Sequence, residues 1–103
     1  MRVVYTRSAI ADIDDISSYI AERNPRAAAT VVDVIEATIA RLGVFPLSAP
    51  VTDEPDVRMT PAGRYPYVIF YTATGDAVRI LRIMHTARMR PWERPSESTK
   101  EES

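Results

Sequence analysis

"RYPYVIFYTATGDAVRILRIMH", residues 64–85, decides the fold. "RYPYVIFYTA" is almost wholly apolar or aromatic, and its β-branched and aromatic residues favour extended chain. "TGD" at 74–76 marks a hairpin turn, and "AVRILRIMH" completes an antiparallel pair. In the first arm, alternation with period two places Tyr67, Ile69 and Tyr71 on one face and Val68 with Phe70 on the other. In the second arm Ile80 and Leu81 are consecutive, and Arg79 and Arg82 fall on opposite faces. Strict alternation fails there, which implies a bulge or two covered faces.

Upstream of this hairpin, "VRMT" at 57–60 reads as a short strand. Residues 44–57 hold three prolines, three acids and no clear period, so they form a loop ending near "TDEPD". Two helices precede it. From Ser8 to about Arg23, Ala9, Ile13, Ile16 and Ile20 recur on one stripe, with Thr6 or Ser8 as cap and Asp12, Asp14 and Asp15 off the stripe, in the half where carboxylates favour the helix dipole. "NPRA" at 24–27 ends that helix and starts the next, with Asn24 as cap and Pro25 at the first helical position. Ala28, Val32, Ile35, Ile39 and Leu42 then share a face, and Gly43 marks the stop. "RVVYT" at 2–6 is a first strand whose neighbours must come from far along the chain.

The order is strand, helix, helix, strand, strand, strand. It defines an α+β fold, β-α-α-β-β-β, with a helical hairpin packed on one face of a small, mainly antiparallel sheet. Residues 1–95 make one domain, and "SESTKEES" at 96–103 is a disordered tail by composition. Since the helices cover only one sheet face, the Val68 and Phe70 face is left as a partner surface.

Composition removes whole classes of function. Cysteine is absent and histidine occurs once, so neither a disulfide framework nor a protein-only zinc site can be built, and no metal or cofactor is expected. The N-terminal stretch lacks the long apolar region of a signal peptide, and no apolar run approaches the ~18 residues of a membrane span. A soluble cytoplasmic protein is expected. The formal charge of −1 conceals a strong asymmetry: residues 44–57 carry three acids and no base, whereas residues 58–94 carry seven arginines against two acids. A chain that binds nucleic acid broadly is usually basic overall, so strong direct nucleic-acid binding is not expected.

"RIMHTARMRPW", residues 82–92, carries the sole histidine and sole tryptophan among three arginines. An imidazole suits proton transfer near neutrality, which makes His85 a candidate acid or base, or else a strand-end ring bonded to backbone. Arg64 and Arg82 can flank one concave face, holding either a phosphoryl group or a partner's carboxylate, or can be solvated edge residues whose stems cover apolar surface. Arg88, Arg90 and Trp92 have the composition of an interaction hot spot, although Trp92 can equally fold back as a lid over the helices. Tyr19 and Val31, slightly off the apolar stripes, can receive an amphipathic partner helix.

"YTRSAIADIDDISSYIAERNP", "GRYPYVIFY" and "VRILRIMHTARMRPW" together resemble the RelE/ParE superfamily of toxins from type II toxin–antitoxin systems, most closely its ParE branch, over roughly residues 2–92. The resemblance implies the fold just described and a ParD-like antitoxin, bound in a hetero-oligomer, that silences the toxin. It also implies a role in plasmid stabilisation. ParE-like members inhibit DNA gyrase, which places target inhibition on His85, Arg88, Arg90 and Trp92, and antitoxin binding on Tyr19, Val31, Arg64, Val68, Phe70 and Arg82. RelE-like members instead cut messenger RNA in the ribosome. On that alternative His85, Arg64 and Arg82 are the catalytic set, although for a second proton-transfer group the sole lysine, Lys100, lies in the tail and the candidate carboxylates Asp53, Glu54 and Asp56 sit in a loop. A third possibility is a degenerate member acting only as co-repressor with its antitoxin.

Overall fold

The computed structural model describes residues 1–88. These form β1 (Arg2–Tyr5), α1 (Arg7–Ala21), α2 (Pro25–Val44), β2 (Val57–Pro61), β3 (Tyr67–Thr74), β4 (Ala77–His85) and a closing 3-10 turn, Thr86–Arg88. Arg90, Trp92 and the tail at 96–103 lie outside the described residues. The strands make one sheet in the order β1-β4-β3-β2. β1 runs parallel to β4, and the other two pairings are antiparallel. The expected α+β arrangement is therefore present, with both helices on one face.

Each helix starts as the sequence dictates. The Thr6 hydroxyl accepts from the Ala9 amide at 3.1 Å, and the Asn24 side chain accepts from the Ala27 amide at the same distance, with Pro25 following. Thr6 does more than cap. Its hydroxyl also donates to the Ile80 carbonyl at 2.7 Å, so one side chain fixes the start of α1 to the middle of β4.

Two details of α2 differ from the sequence reading. The buried stripe runs Ala28, Val31, Ile35, Ile39 and Leu42, with Val31 inside and Val32 only half-buried. Spacings of three and four residues are equally regular through either valine, and only the orientation of α2 on the sheet chooses between them. Nor does Gly43 end the helix, which continues to Val44 with Phe45 as its cap. A Cβ at Gly43 would lie 3.1 Å from both the Met1 carbonyl oxygen and Val3 Cγ2, so this glycine serves the close approach of α2 to β1.

The hairpin turn has Gly75 at φ +62°, a conformation that costs glycine little. Further along β4 the expected bulge is present: Phe70 opposes Arg82 and Tyr71 opposes Ile80, so Leu81 is the extra residue. The insertion lets Ile80 and Ile83, three apart, both enter the core, where strict alternation would send one outward. Tyr67, Ile69 and Tyr71 face the helices as expected, and Tyr71 is fully buried.

Val68 and Phe70, on the opposite face, are also buried although no helix covers them. Pro61 and Met59 flank them on β2, and Met84 and Arg82 on β4. Residues 45–56 fold against the edge of β2 rather than hanging free: Thr52 donates its amide to Val57, and Met59 donates to Pro50. The Tyr71 hydroxyl donates to the Pro46 carbonyl at 2.9 Å, and Arg58 donates to the Ala49 carbonyl at 2.6 Å. Phe45, Leu47 and Val51 are left exposed on this loop, as is Val44 at the end of α2.

Candidate functional site between α1 and the end of β4

The parallel partner of β4 runs out halfway along it. β1 pairs with residues 77–80 only, and past the bulge the outer edge of β4 faces α1 rather than another strand. Asp12 of α1 fills the role of the missing strand. Its carboxylate accepts from the Ile83 amide at 2.9 Å and from Arg82 through Nε at 2.8 Å and a terminal nitrogen at 3.1 Å. The Asp12 side chain is only 13% exposed, so this bidentate pair holds a carboxylate that has lost most of its water.

Sequence reasoning assigned Asp12 to the helix dipole and missed this contact. The dipole acts within the first turn, and the structure has no acidic residue there. The available signal was spacing: Asp12 is three residues after buried Ala9 and four before Ile16, which places it on the flank of the core stripe.

Beside this pair lies an open groove of about 620 Å³, walled by Asp12, Asp15, Ile16 and Tyr19 of α1 and by Arg82, Met84 and His85 of β4, with Tyr67 and Arg88 at its end. His85 stands edge-on to Tyr67, with ring centres 5.3 Å apart. Its Nδ1 accepts from the Ala87 amide at 3.0 Å, which assigns the proton of the neutral ring to Nε2. Thus the imidazole shapes the 3-10 turn with one nitrogen and offers a donor with the other. Tyr19 is 57% exposed; Arg23 stacks over its ring and donates to its hydroxyl at 2.9 Å. Burial pushes the Tyr67 phenol above its ordinary pKa, the nearby Tyr19 phenol adds to that rise, and the Arg88 guanidinium opposes it.

The groove therefore gathers Tyr19, Arg82, His85 and Arg88 from the sequence-derived candidates. Arg64 is not among its lining residues and lies over the Tyr65 ring instead. Val31 is buried in the core, which removes it as a contact for a partner helix unless α2 moves. Val68 and Phe70 belong to the other sheet face, where Phe70, Val57, Leu81 and Met84 line a smaller apolar hollow of about 240 Å³. Chemically, the α1–β4 groove combines aromatic faces, donors and both signs of charge, an arrangement suited to holding a peptide segment. No group of three or more potential metal ligands occurs among the described residues, and no helix there is long and apolar enough to cross a membrane.

A small mixed sheet carrying a helical hairpin, with a basic strand end left open beside α1, is the arrangement expected from the resemblance to the RelE/ParE superfamily. A family model described as the ParE toxin of the type II toxin–antitoxin system, parDE, matches residues 3–90. The chain belongs to this ParE family. It is 32% identical over 90 residues to a protein of Sinorhizobium fredii (strain NBRC 101917 / NGR234) named Putative toxin Y4kP, covering 87% of this chain and 93% of that protein. Among solved structures it is similar to a chain from the chromosomal ParDE TA system of P. aeruginosa. There the TM-score is 0.73 at 30% identity, over 82% of this chain and 95% of the other.

Proposed function

We propose that this ParE-type toxin acts by inhibiting DNA gyrase and is silenced by a ParD-like antitoxin bound to it in a hetero-oligomer. Membership of the ParE family across residues 3–90 carries the reading. The ParDE title of the similar structure supports an antitoxin partner. His85 and Arg88, continued by Arg90 and Trp92, are the target-facing residues; Tyr19, Arg64 and Arg82 are the antitoxin contacts, with Phe70 reached through the apolar hollow on the other sheet face, whereas Val68, buried like Val31, drops out of that set. The two sets meet at the groove, where Tyr19 and Arg82 adjoin His85 and Arg88. An antitoxin bound there covers the target surface directly.

The test is gyrase supercoiling by purified components with this chain added, alone and with its antitoxin, alongside induction of the chain in cells with growth, DNA-damage response and message integrity followed together. Inhibited supercoiling, relieved by antitoxin, with a damage response and intact messages is the expected result. Cleaved messages without a damage response would overturn it. Deletion of residues 89–103 should abolish the inhibition, whereas His85→Ala should weaken it only mildly, because no proton transfer is asked of the ring.

A further inference from the structure

Two open edges of the sheet are closed by the chain itself, and a third is not. Residues 45–56 cover β2 through the Thr52 amide on the Val57 carbonyl and the Met59 amide on the Pro50 carbonyl, and Asp12 caps the second half of β4. The outer side of β1 has no such cover. The Arg2 amide donates to the Asp76 carbonyl and the Thr6 amide to the Ile80 carbonyl. Arg2, Val4 and Thr6 therefore turn their backbone groups inward to β4, and Val3 and Tyr5 turn theirs outward. Those outward groups have no partner among the described residues. We infer that this edge takes β1 of a second copy of the chain, paired antiparallel about a two-fold axis at Val4.

The strand is complementary to itself in this register. Val3 and Tyr5 of one copy exchange amide–carbonyl bonds with Tyr5 and Val3 of the other, which satisfies every outward amide of the strand. Val4 meets its own copy as the non-hydrogen-bonded pair at the centre, and on either side a β-branched residue faces an aromatic one. Arg2 falls opposite Thr6 and Arg7 opposite Met1, so no like charges are opposed. A two-fold at Tyr5 would set Val3 against Arg7, which is already helical. One at Val3 would set Tyr5 against Met1, whose amino group is tied to the Gly43 carbonyl. Only the Val4 centre uses the whole strand.

Apolar surface supplies a second argument. Met1, Tyr5 and Val44 are all exposed, and all belong to this edge: Met1 is tied to Gly43, the neighbour of Val44, and Gly43 approaches Val3 closely. Because Val3 pairs with Tyr5 of the other copy, the two-fold carries the end of one α2 toward the other's Tyr5, so apolar residues of both layers gain cover. A single rotation thus satisfies the backbone, the facing side chains and the charges together, as a self-complementary dimer surface requires. The edge shares no lining residue with the α1–β4 groove, so the pairing and an antitoxin seated there do not compete for the same side chains.

The chain has no cysteine, so one introduced at the two-fold reports on the pairing directly. In the paired strands the two Val4 Cα atoms stand about 4.5 Å apart, inside the ~4.4–6.8 Å range of a disulfide. Purified full-length Val4→Cys should therefore form a disulfide-linked dimer on mild oxidation. Arg79→Cys, at the exposed position beside Val4 on β4, should stay largely monomeric on the same non-reducing gel. In sedimentation the wild-type chain should be a dimer that dissociates on dilution. Tyr5→Pro removes two hydrogen bonds per dimer while sparing the ladder to β4, and should weaken association about ten-fold or more. Tyr5→Lys keeps the amide and sets a charge against Val3, and should weaken it less, with circular dichroism unchanged. A wild-type chain that is monomeric at every concentration would overturn the proposal, and loss of antitoxin binding in Tyr5→Pro would then give the edge to the antitoxin. A dimer that resists both Tyr5 substitutions, or in which Val4→Cys fails to cross-link, would also overturn it by placing the contact elsewhere. None of these readouts involves gyrase, so failure here and failure of the functional reading are separable.

Discussion

The two halves of β4 are built from the same kinds of residue but are held in different ways. Residues 77–80 lie between β1 and β3, with backbone ladders on both edges, and Val78 and Ile80 are fully buried. Residues 82–85 keep the ladder to β3 but lose β1, and one carboxylate from α1 takes its place. A strand neighbour satisfies every edge group and leaves no space, whereas a side chain satisfies one amide and leaves a groove beside it. The open half is consequently where the chain has room for a ligand, and the bulge at Leu81 is the point at which one regime gives way to the other.

The closed half is the place to look for the largest loss. Ile80 is fully buried, and its carbonyl accepts from both the Thr6 amide and the Thr6 hydroxyl. Ile80→Ala should cost about 2–5 kcal/mol through lost transfer energy and the cavity left behind. Urea denaturation should show this as a lower midpoint at unchanged slope. An effect below the Asp12 variant described next would invert the comparison.

In the open half the expected loss is smaller and of another kind. Asp12→Ala removes the acceptor for the Ile83 amide and for Arg82 together, and should cost about 1–3 kcal/mol, mostly from polar groups left without their partner. Asp12→Asn keeps one acceptor for the amide and should recover part of the loss. Amide hydrogen exchange sharpens the point: in Asp12→Ala the Ile83 amide should exchange faster, while Val78 and Ile80 stay protected.

A third effect concerns pH. Burial raises the Tyr71 phenol above 10.0, with an amide at Ala49 and Arg58 acting in the opposite direction. A folded-state pKa raised above the unfolded value means that the unfolded chain releases this proton first. Stability therefore has its full value below about pH 10 and is lost as pH rises through the folded pKa. Tyr67 and Tyr5 shift in the same direction by burial. Tyr71→Phe should cost about 1 kcal/mol at neutral pH by removing the hydroxyl bond to Pro46. It should also make the alkaline fall shallower, as followed by phenolate absorbance and unfolding midpoint together.

The closed half was also the legible half. Turn chemistry at Gly75 and the apolar arms around it are local, and the failed alternation at Ile80 and Leu81 announced the bulge in the residues themselves. Val31 against Val32 was not legible, because a period of 3.6 tolerates either and the sheet decides. Asp12 was not legible for a related reason: its partners are 70 and 71 residues away, and the amide it caps is open only because β1 ends at Tyr5. His85, Arg82 and Arg88 were found as types by composition, but the groove that unites them with Tyr19 depends on where a parallel strand stops.

The two ion pairs at the ends of β4 give the smallest predicted effect and the closest test of the comparison. At its start, Arg2 lies 3.8 Å from Asp76, with side chains 69% and 92% exposed, and β1 is already held there by backbone pairing. At its end, Arg82 meets Asp12 in a bidentate contact with the carboxylate mostly buried. An exposed pair gains little from Coulomb attraction in water and loses side-chain freedom, so Asp76→Ala should change stability by about 0–0.5 kcal/mol, within the range found for surface pairs. A cycle of Asp12→Ala, Arg82→Ala and the double variant should return a clearly larger coupling than the Asp76 and Arg2 cycle, and should lose less of it at high salt. Equal couplings would mean that Arg82 merely shares the surface with Asp12, and that the Ile83 amide bond alone stands in for the missing strand.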